Sequence, residues 1–175
     1  MIVRFTKGHA DKPDILACTR DDGTVTWTRE RPGFVAHDLM HYAVETTLNE
    51  QFGFFGVIAN GRNFNEFGRD SQTGDRYAKP GEERVPVEHV VNLLSQERAG
   101  TLRPDDFDDA IALACPEAAK FLTTERRDAL RGRVHELINS WNALPIGAAL
   151  TLEFPTPTDR PQPSLPPHEF SRPDN

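Results

Sequence analysis

Ile15-Leu-Ala-Cys-Thr-Arg-Asp-Asp-Gly-Thr-Val-Thr-Trp-Thr-Arg29 is two β-rich runs folded about an Asp22-Gly23 turn. Asp-Gly between β-branched runs is a type I′ hairpin signal, because the glycine accepts the positive φ that the turn needs. Counting outward from a two-residue turn pairs Asp21 with Thr24, Arg20 with Val25, Cys18 with Trp27 and Leu16 with Arg29. That register puts Leu16, Cys18, Val25 and Trp27 on one face and Ile15, Ala17, Thr19, Thr24, Thr26 and Thr28 on the other. The threonine face is expected to be wet, and the Trp27 face to take the helices.

Residues 2–6 read as a short first strand. Near the other end, residues 149–154 alternate, with Leu150, Leu152 and Phe154 on one side, and read as a strand returning to the same sheet.

The segments between are helical. Pro32-Gly33 breaks the hairpin strand, and residues 34–49 form a helix. On a wheel of about 100° per residue, Ala36, Met40, Ala43, Val44 and Thr47 make a packing side. His41, Asp38 and Glu45 lie opposite it, with His37 at the edge. Residues 52–59 are apolar and read as a buried turn or short helix. Residues 60–81 are rich in Gly, Asn, Asp and Arg, a long connection of the kind that often serves as a lid or mobile segment.

Residues 87–98 form a helix after Pro86, with Gly100 as its stop. Pro104 opens another, whose first-turn carboxylates suit the helix dipole, and Pro116 ends or kinks it. Residues 124–144 carry Leu130, Val134, Leu137, Ile138, Trp141 and Leu144 at helical spacing, which makes this the main core helix. The reading is an α+β fold: a small antiparallel sheet from the N-terminal strand, the hairpin and the C-terminal strand, covered by about four helices. It occupies residues 1–154 as a single domain. Residues 155–175 hold seven of the chain's fourteen prolines and read as an extended tail outside the fold. Its Pro163-Ser-Leu-Pro166 stretch is available to a protein partner or a neighbouring subunit.

The formal net charge of −7 argues against nucleic acid, which attracts a basic stripe. The mean hydropathy is −0.56, and no apolar run reaches membrane-spanning length. Cys18 and Cys115, the only cysteines, are not in a CxxC spacing, so a disulfide scaffold and a thiolate zinc site are disfavoured. With no signal-peptide pattern at the start, the expected location is the cytoplasm.

One stretch asks for chemistry. His37-Asp38-Leu39-Met40-His41 places two imidazoles four residues apart on one helix, one above the other, where both can reach a single ion. HExxH metallohydrolases use this pairing with a carboxylate beside the first histidine. His37 and Glu45 are two turns, about 12 Å, apart. The expected site is therefore zinc held by His37 and His41, with Asp38 and Glu45 as catalytic carboxylates: Asp38 to orient a histidine or polarise bound water, Glu45 to back a histidine or move a proton. The third ligand has to come from elsewhere, and Glu50, Glu66, Asp70, Asp75 and His89 are candidates. His135 reads as solvated. Arginines in Gly61-Arg-Asn-Phe-Asn and Gly68-Arg-Asp can grip an anion, but they form no phosphate-loop fingerprint.

His37-Asp-x-x-His41 resembles the zinc motif of the coenzyme Q biosynthesis family, in which a glutamate follows the second histidine after eleven residues. Here that position is Gly53, so the resemblance stops at two ligands. His37-Asp-Leu-Met-His-Tyr-Ala-Val-Glu45 with the Gly-Phe-Phe-Gly run after it also resembles small uncharacterised bacterial proteins with an HDLxHxxVE helix, which implies no activity. The function expected from the residues is divalent-metal binding, with a hydrolase or lyase step on an unknown small-molecule substrate if the site is catalytic. The alternative is a non-enzymatic cytosolic binding or regulatory protein, whose His/Asp/Glu face contacts a partner or water.

Overall fold

The computed structural model describes residues 1–9, 12–31, 33–51, 53–69, 76–77 and 85–156. The expected Pro-rich tail from residue 157 onward, with its PxxP stretch, lies outside the described residues, as do Asp70 and Asp75.

The fold is α+β, as its hydrophobic patterning dictates. Strands β1 (Ile2–Thr6), β2 (Ile15–Thr19), β3 (Val25–Arg29) and β6 (Ala149–Glu153) form an antiparallel sheet in the order β3-β2-β1-β6. A separate two-strand ladder joins β4 (Gly68–Arg69) and β5 (Arg76–Tyr77) within the long connection. The helices are α1 (Phe34–Leu48), α2 (Phe54–Ala59), α3 (Val85–Arg98), α4 (Phe107–Ala114), α5 (Pro116–Phe121) and α6 (Thr124–Ala143). Four of them, α1, α3, α4 and α6, are the expected long helices; α2 is the short helix read at residues 52–59, and the short α5 is separate because Pro116 cannot continue α4. Cys115 leaves the helical region at φ −152°, and Pro116 starts a new helix at its first position, where its missing N–H costs nothing.

The hairpin register differs from the sequence expectation by one residue. Thr19 faces Val25, Cys18 faces Thr26, Ala17 faces Trp27 and Leu16 faces Thr28. The cause is the turn. Asp22 Oδ1 accepts both the N–H of Thr24 at 2.9 Å and its hydroxyl at 2.7 Å. Arg20 N–H then bonds the carbonyl of Thr24 at 2.9 Å. The loop has three residues, Asp21-Asp22-Gly23, with Gly23 at φ +83°, which is the geometry of a three-residue hairpin with glycine in the left-handed region. One added loop residue turns every β3 side chain over. Thr26 and Thr28 are therefore buried, while Val25 and Trp27 are each 56% exposed. Thr26 is tolerated inside because its hydroxyl oxygen accepts the backbone N–H of Phe64 at 3.0 Å.

The inner face of the sheet carries Val3, Phe5, Leu16 and Cys18, all fully buried. Phe5 meets Phe55 of α2 and Trp141 of α6 edge-on, each at 6.4 Å between ring centres. Lys7 ties β1 to the end of α6, its Nζ donating to the carbonyls of Trp141, Asn142 and Leu144. As its spacing requires, α6 buries Leu130, Val134, Leu137, Ile138 and Trp141.

Helix α1 lies at the centre, packed against α6, α3 and α2. Packing against three other helices encloses most of the polar side that lies opposite the packing side, leaving His37 half-buried. Asp38 through Glu45 are all buried. No helix among the described residues is long and apolar enough to cross a membrane.

Candidate metal centre

The centre is built around Glu45. Its side chain is fully buried, and both of its oxygens are committed. Oε1 accepts the N–H of Phe55 at 3.1 Å and Oε2 accepts the N–H of Gly56 at 2.9 Å. These are two of the unpaired donors that open every helix. The N-cap of α2 is Gly53, which has no side chain with which to cap it. Glu45, eight residues earlier on another helix, supplies that cap.

The glycine is part of the device. A Cβ at Gly53 would stand 2.7 Å from both Cγ and Oε1 of Glu45, inside any tolerable contact. Any other residue there would push the carboxylate out.

Burial pushes the Glu45 carboxyl up to about 8. The Phe55 and Gly56 N–H groups act in the opposite direction, and the charges of Glu88 and Glu50 reinforce the rise.

From this anchor the polar atoms run along α1 toward its start. His41, one turn before Glu45 and 4% exposed, places Nδ1 3.8 Å from Glu45 Oε1. Its Nε2 lies 3.2 Å from Nε2 of His37, one turn further back. The two rings are 4.8 Å apart between centres and nearly perpendicular, at 77°. Glu88 reaches over from the first turn of α3, with Oε2 3.7 Å from the same His41 Nε2. Phe54 closes one side, its ring centre 5.6 Å from that of His41. Asp38 is buried beside the pair at 5% exposure. His37 is half-buried, and the Glu88 side chain is 47% exposed, so water reaches the centre from the α3 side.

The sequence-based site is thus partly assembled. His37 and His41 converge. Glu45 takes the place behind His41 that a supporting carboxylate would take, but its two oxygens also cap α2. Of the proposed third ligands, Glu66 is spent on its own turn, where its carboxylate and the Asn63 side chain form a reciprocal cap. Glu50 accepts the N–H of Gln51 at 2.9 Å. His89 is half-buried on α3. The carboxylate that does approach the histidines is Glu88, which the sequence reading passed over in favour of its neighbour. His135 is exposed and bonded to Asn139.

Among the described residues, no group of three or more histidines, cysteines, aspartates and glutamates is arranged to hold a metal ion. The two Nε2 atoms lie 3.2 Å apart, and Glu88 Oε2 is 3.7 Å from that of His41. Comparison with protein-family models, with curated proteins and with solved structures finds no match for this chain.

Proposed function

We propose that His37 and His41 jointly bind a divalent metal ion, zinc foremost, with Glu88 swinging in as the third ligand. The observation that carries this reading is the 3.2 Å between the two Nε2 atoms. Two nitrogens each about 2.0–2.1 Å from one tetrahedral zinc lie about 3.3 Å apart, so the pair is already spaced for a shared ion. Glu88 sits at 3.7 Å from His41 Nε2 on a half-exposed side chain, which leaves it room to close that gap.

Glu45 fits the role of the carboxylate behind a ligating histidine. It lies 3.8 Å from His41 Nδ1, and on closing to hydrogen-bond distance it would favour a ring whose Nε2 lone pair faces the ion. A zinc with three protein ligands would supply a Lewis acid and an activated water, the requirement of a hydrolase or lyase. Around it, Phe54 excludes water from one side, and Asp38 is a buried carboxylate next to His37 in the chain.

The non-enzymatic alternative has its own observation in favour. Glu45 already has a structural task in capping α2, and a buried histidine–glutamate cluster can serve packing alone. Elemental analysis of protein purified without a histidine tag separates the two. About one zinc per chain in the wild type and none in the His37→Ala/His41→Ala variant supports the metal site. Equal metal content in both leaves only the structural role.

A further inference from the structure

Strand β3 is the outer strand of the sheet, and its backbone pattern can be followed bond by bond. Arg20 N–H bonds Thr24 C=O at 2.9 Å, and Glu30 N–H bonds Asp14 C=O at 2.8 Å. Antiparallel strands alternate bonded and non-bonded pairs. Thr26 and Thr28 therefore face β2, and Val25, Trp27 and Arg29 aim their N–H and C=O groups away from the sheet. Among the described residues, no hydrogen bond reaches the N–H of any of these three, or the carbonyls of Val25 and Trp27. The opposite edge is treated differently, since on β6 the outward carbonyl of Glu153 is taken by the Tyr42 hydroxyl at 2.6 Å.

The same residues are the most exposed apolar ones of the sheet. Val25 and Trp27 are 56% exposed, with Ile15 at 37% beside them on β2. Open edges are normally blunted by proline, lysine or a bulge within the strand. Val25-Thr-Trp-Thr-Arg29 has no proline, lysine or bulge, and its single charge, Arg29, stands at its end.

We infer that β3 is a pairing edge whose occupant is β3 of a second copy of this chain, running antiparallel about a two-fold axis at Trp27. The pattern of donors and acceptors is self-complementary in that arrangement. Trp27 faces the partner's Trp27, and Val25 faces the partner's Arg29, each pair exchanging both its hydrogen bonds. The two indoles meet side by side on the outer face, an arrangement that favours strand pairing, and the surface is isologous, as a closed dimer requires. The chain's own C-terminal segment is a poor occupant by composition. Seven prolines in residues 155–175 interrupt any ladder everywhere except the five residues 168–172, whereas β3 meets its own copy with donors and acceptors already in register.

The test uses the full chain. Sedimentation from about 1 to 500 µM, the range of ordinary dimers, is combined with residue-resolved amide exchange. The expected result is a monomer–dimer equilibrium, with the amides of Val25, Trp27 and Arg29 gaining protection as concentration rises. Trp27→Lys should weaken the dimer at least about tenfold by placing two charges at the axis. Val25→Pro, which removes only an outward N–H, should do the same without touching the β2 ladder. A monomer across the whole range overturns the inference. So does a dimer unmoved by both substitutions, or protection of the three amides that is independent of concentration.

Discussion

Glu45 and Gly53 are shaped to one another: the carboxylate fills the space that a side chain at Gly53 would occupy, and from there it caps the helix that Gly53 begins. This contact couples α1, which carries both histidines, to α2, which carries Phe54.

Gly53→Ala should therefore act through Glu45 and not through local propensity. The added methyl displaces the carboxylate from the N–H groups of Phe55 and Gly56 and leaves those donors buried. The expected loss is about 2–4 kcal/mol in urea denaturation, from overpacking plus two broken buried hydrogen bonds. A change below about 0.5 kcal/mol would mean that the carboxylate moves aside freely.

The same carboxyl sets a pH dependence in the metal-free protein. Its folded value, about 8, lies above the ordinary 4.5. Between those two values the folded state keeps a proton that the unfolded chain has released. The unfolded state then binds fewer protons, so stability is full below about pH 4.5 and falls as pH climbs toward 8. The decline is on the order of 2–5 kcal/mol. Glu45→Gln, which cannot ionise, should flatten this part of the profile at some cost in absolute stability. A wild-type profile that rises between pH 5 and 8, or one that Glu45→Gln leaves unchanged, would contradict the assignment.

The hairpin turn is a backbone matter. Nothing lies within 4 Å of a Cβ built at Gly23, yet its φ is +83°. Gly23→Val should thus cost about 1 kcal/mol or more from conformation alone. Thermal melting reads this directly, and an unchanged midpoint would remove the positive-φ requirement.

Core packing gives a fourth expectation. Leu137 is 2% exposed on α6, in the same buried row as Trp141. Leu137→Ala should cost about 2–5 kcal/mol in denaturant, and a loss under about 0.5 kcal/mol would place the helix in a different rotation.

Much of the fold was legible because hydrophobic periodicity is local. The 2–6 strand, the hairpin, the α1 segment and the long α6 each carry their pattern within one stretch of chain. The hairpin register was not legible, since it turns on the Asp22 side chain binding Thr24, which lengthens the loop by one residue and exchanges Thr26 for Trp27 on the inside. The enclosure of α1 was hidden for a different reason. Its His/Asp/Glu side is polar enough to face water, and only the arrival of α2 and α3 buries it.

At the site, the i,i+4 spacing gave the histidine pair directly. Glu88 was missed because its approach to His41 spans forty-seven positions of sequence and depends on how α3 crosses α1. The one available signal for the buried role of Glu45 was the pair of glycines flanking Phe54 and Phe55. Gly53 leaves room for the carboxylate, and a side chain at Gly56 would run into the Gln51 carbonyl.

The central claim is that His37 and His41 share one metal ion, and calorimetric titration of the tag-free, chelator-treated protein with zinc tests it most directly. The account predicts one site per chain, weakened at least about tenfold by Glu88→Ala and abolished by His37→Ala, whose half-buried ring can be removed with little effect on the core. Zinc binding in His37→Ala equal to the wild type, or no binding by the folded wild-type protein, would contradict it.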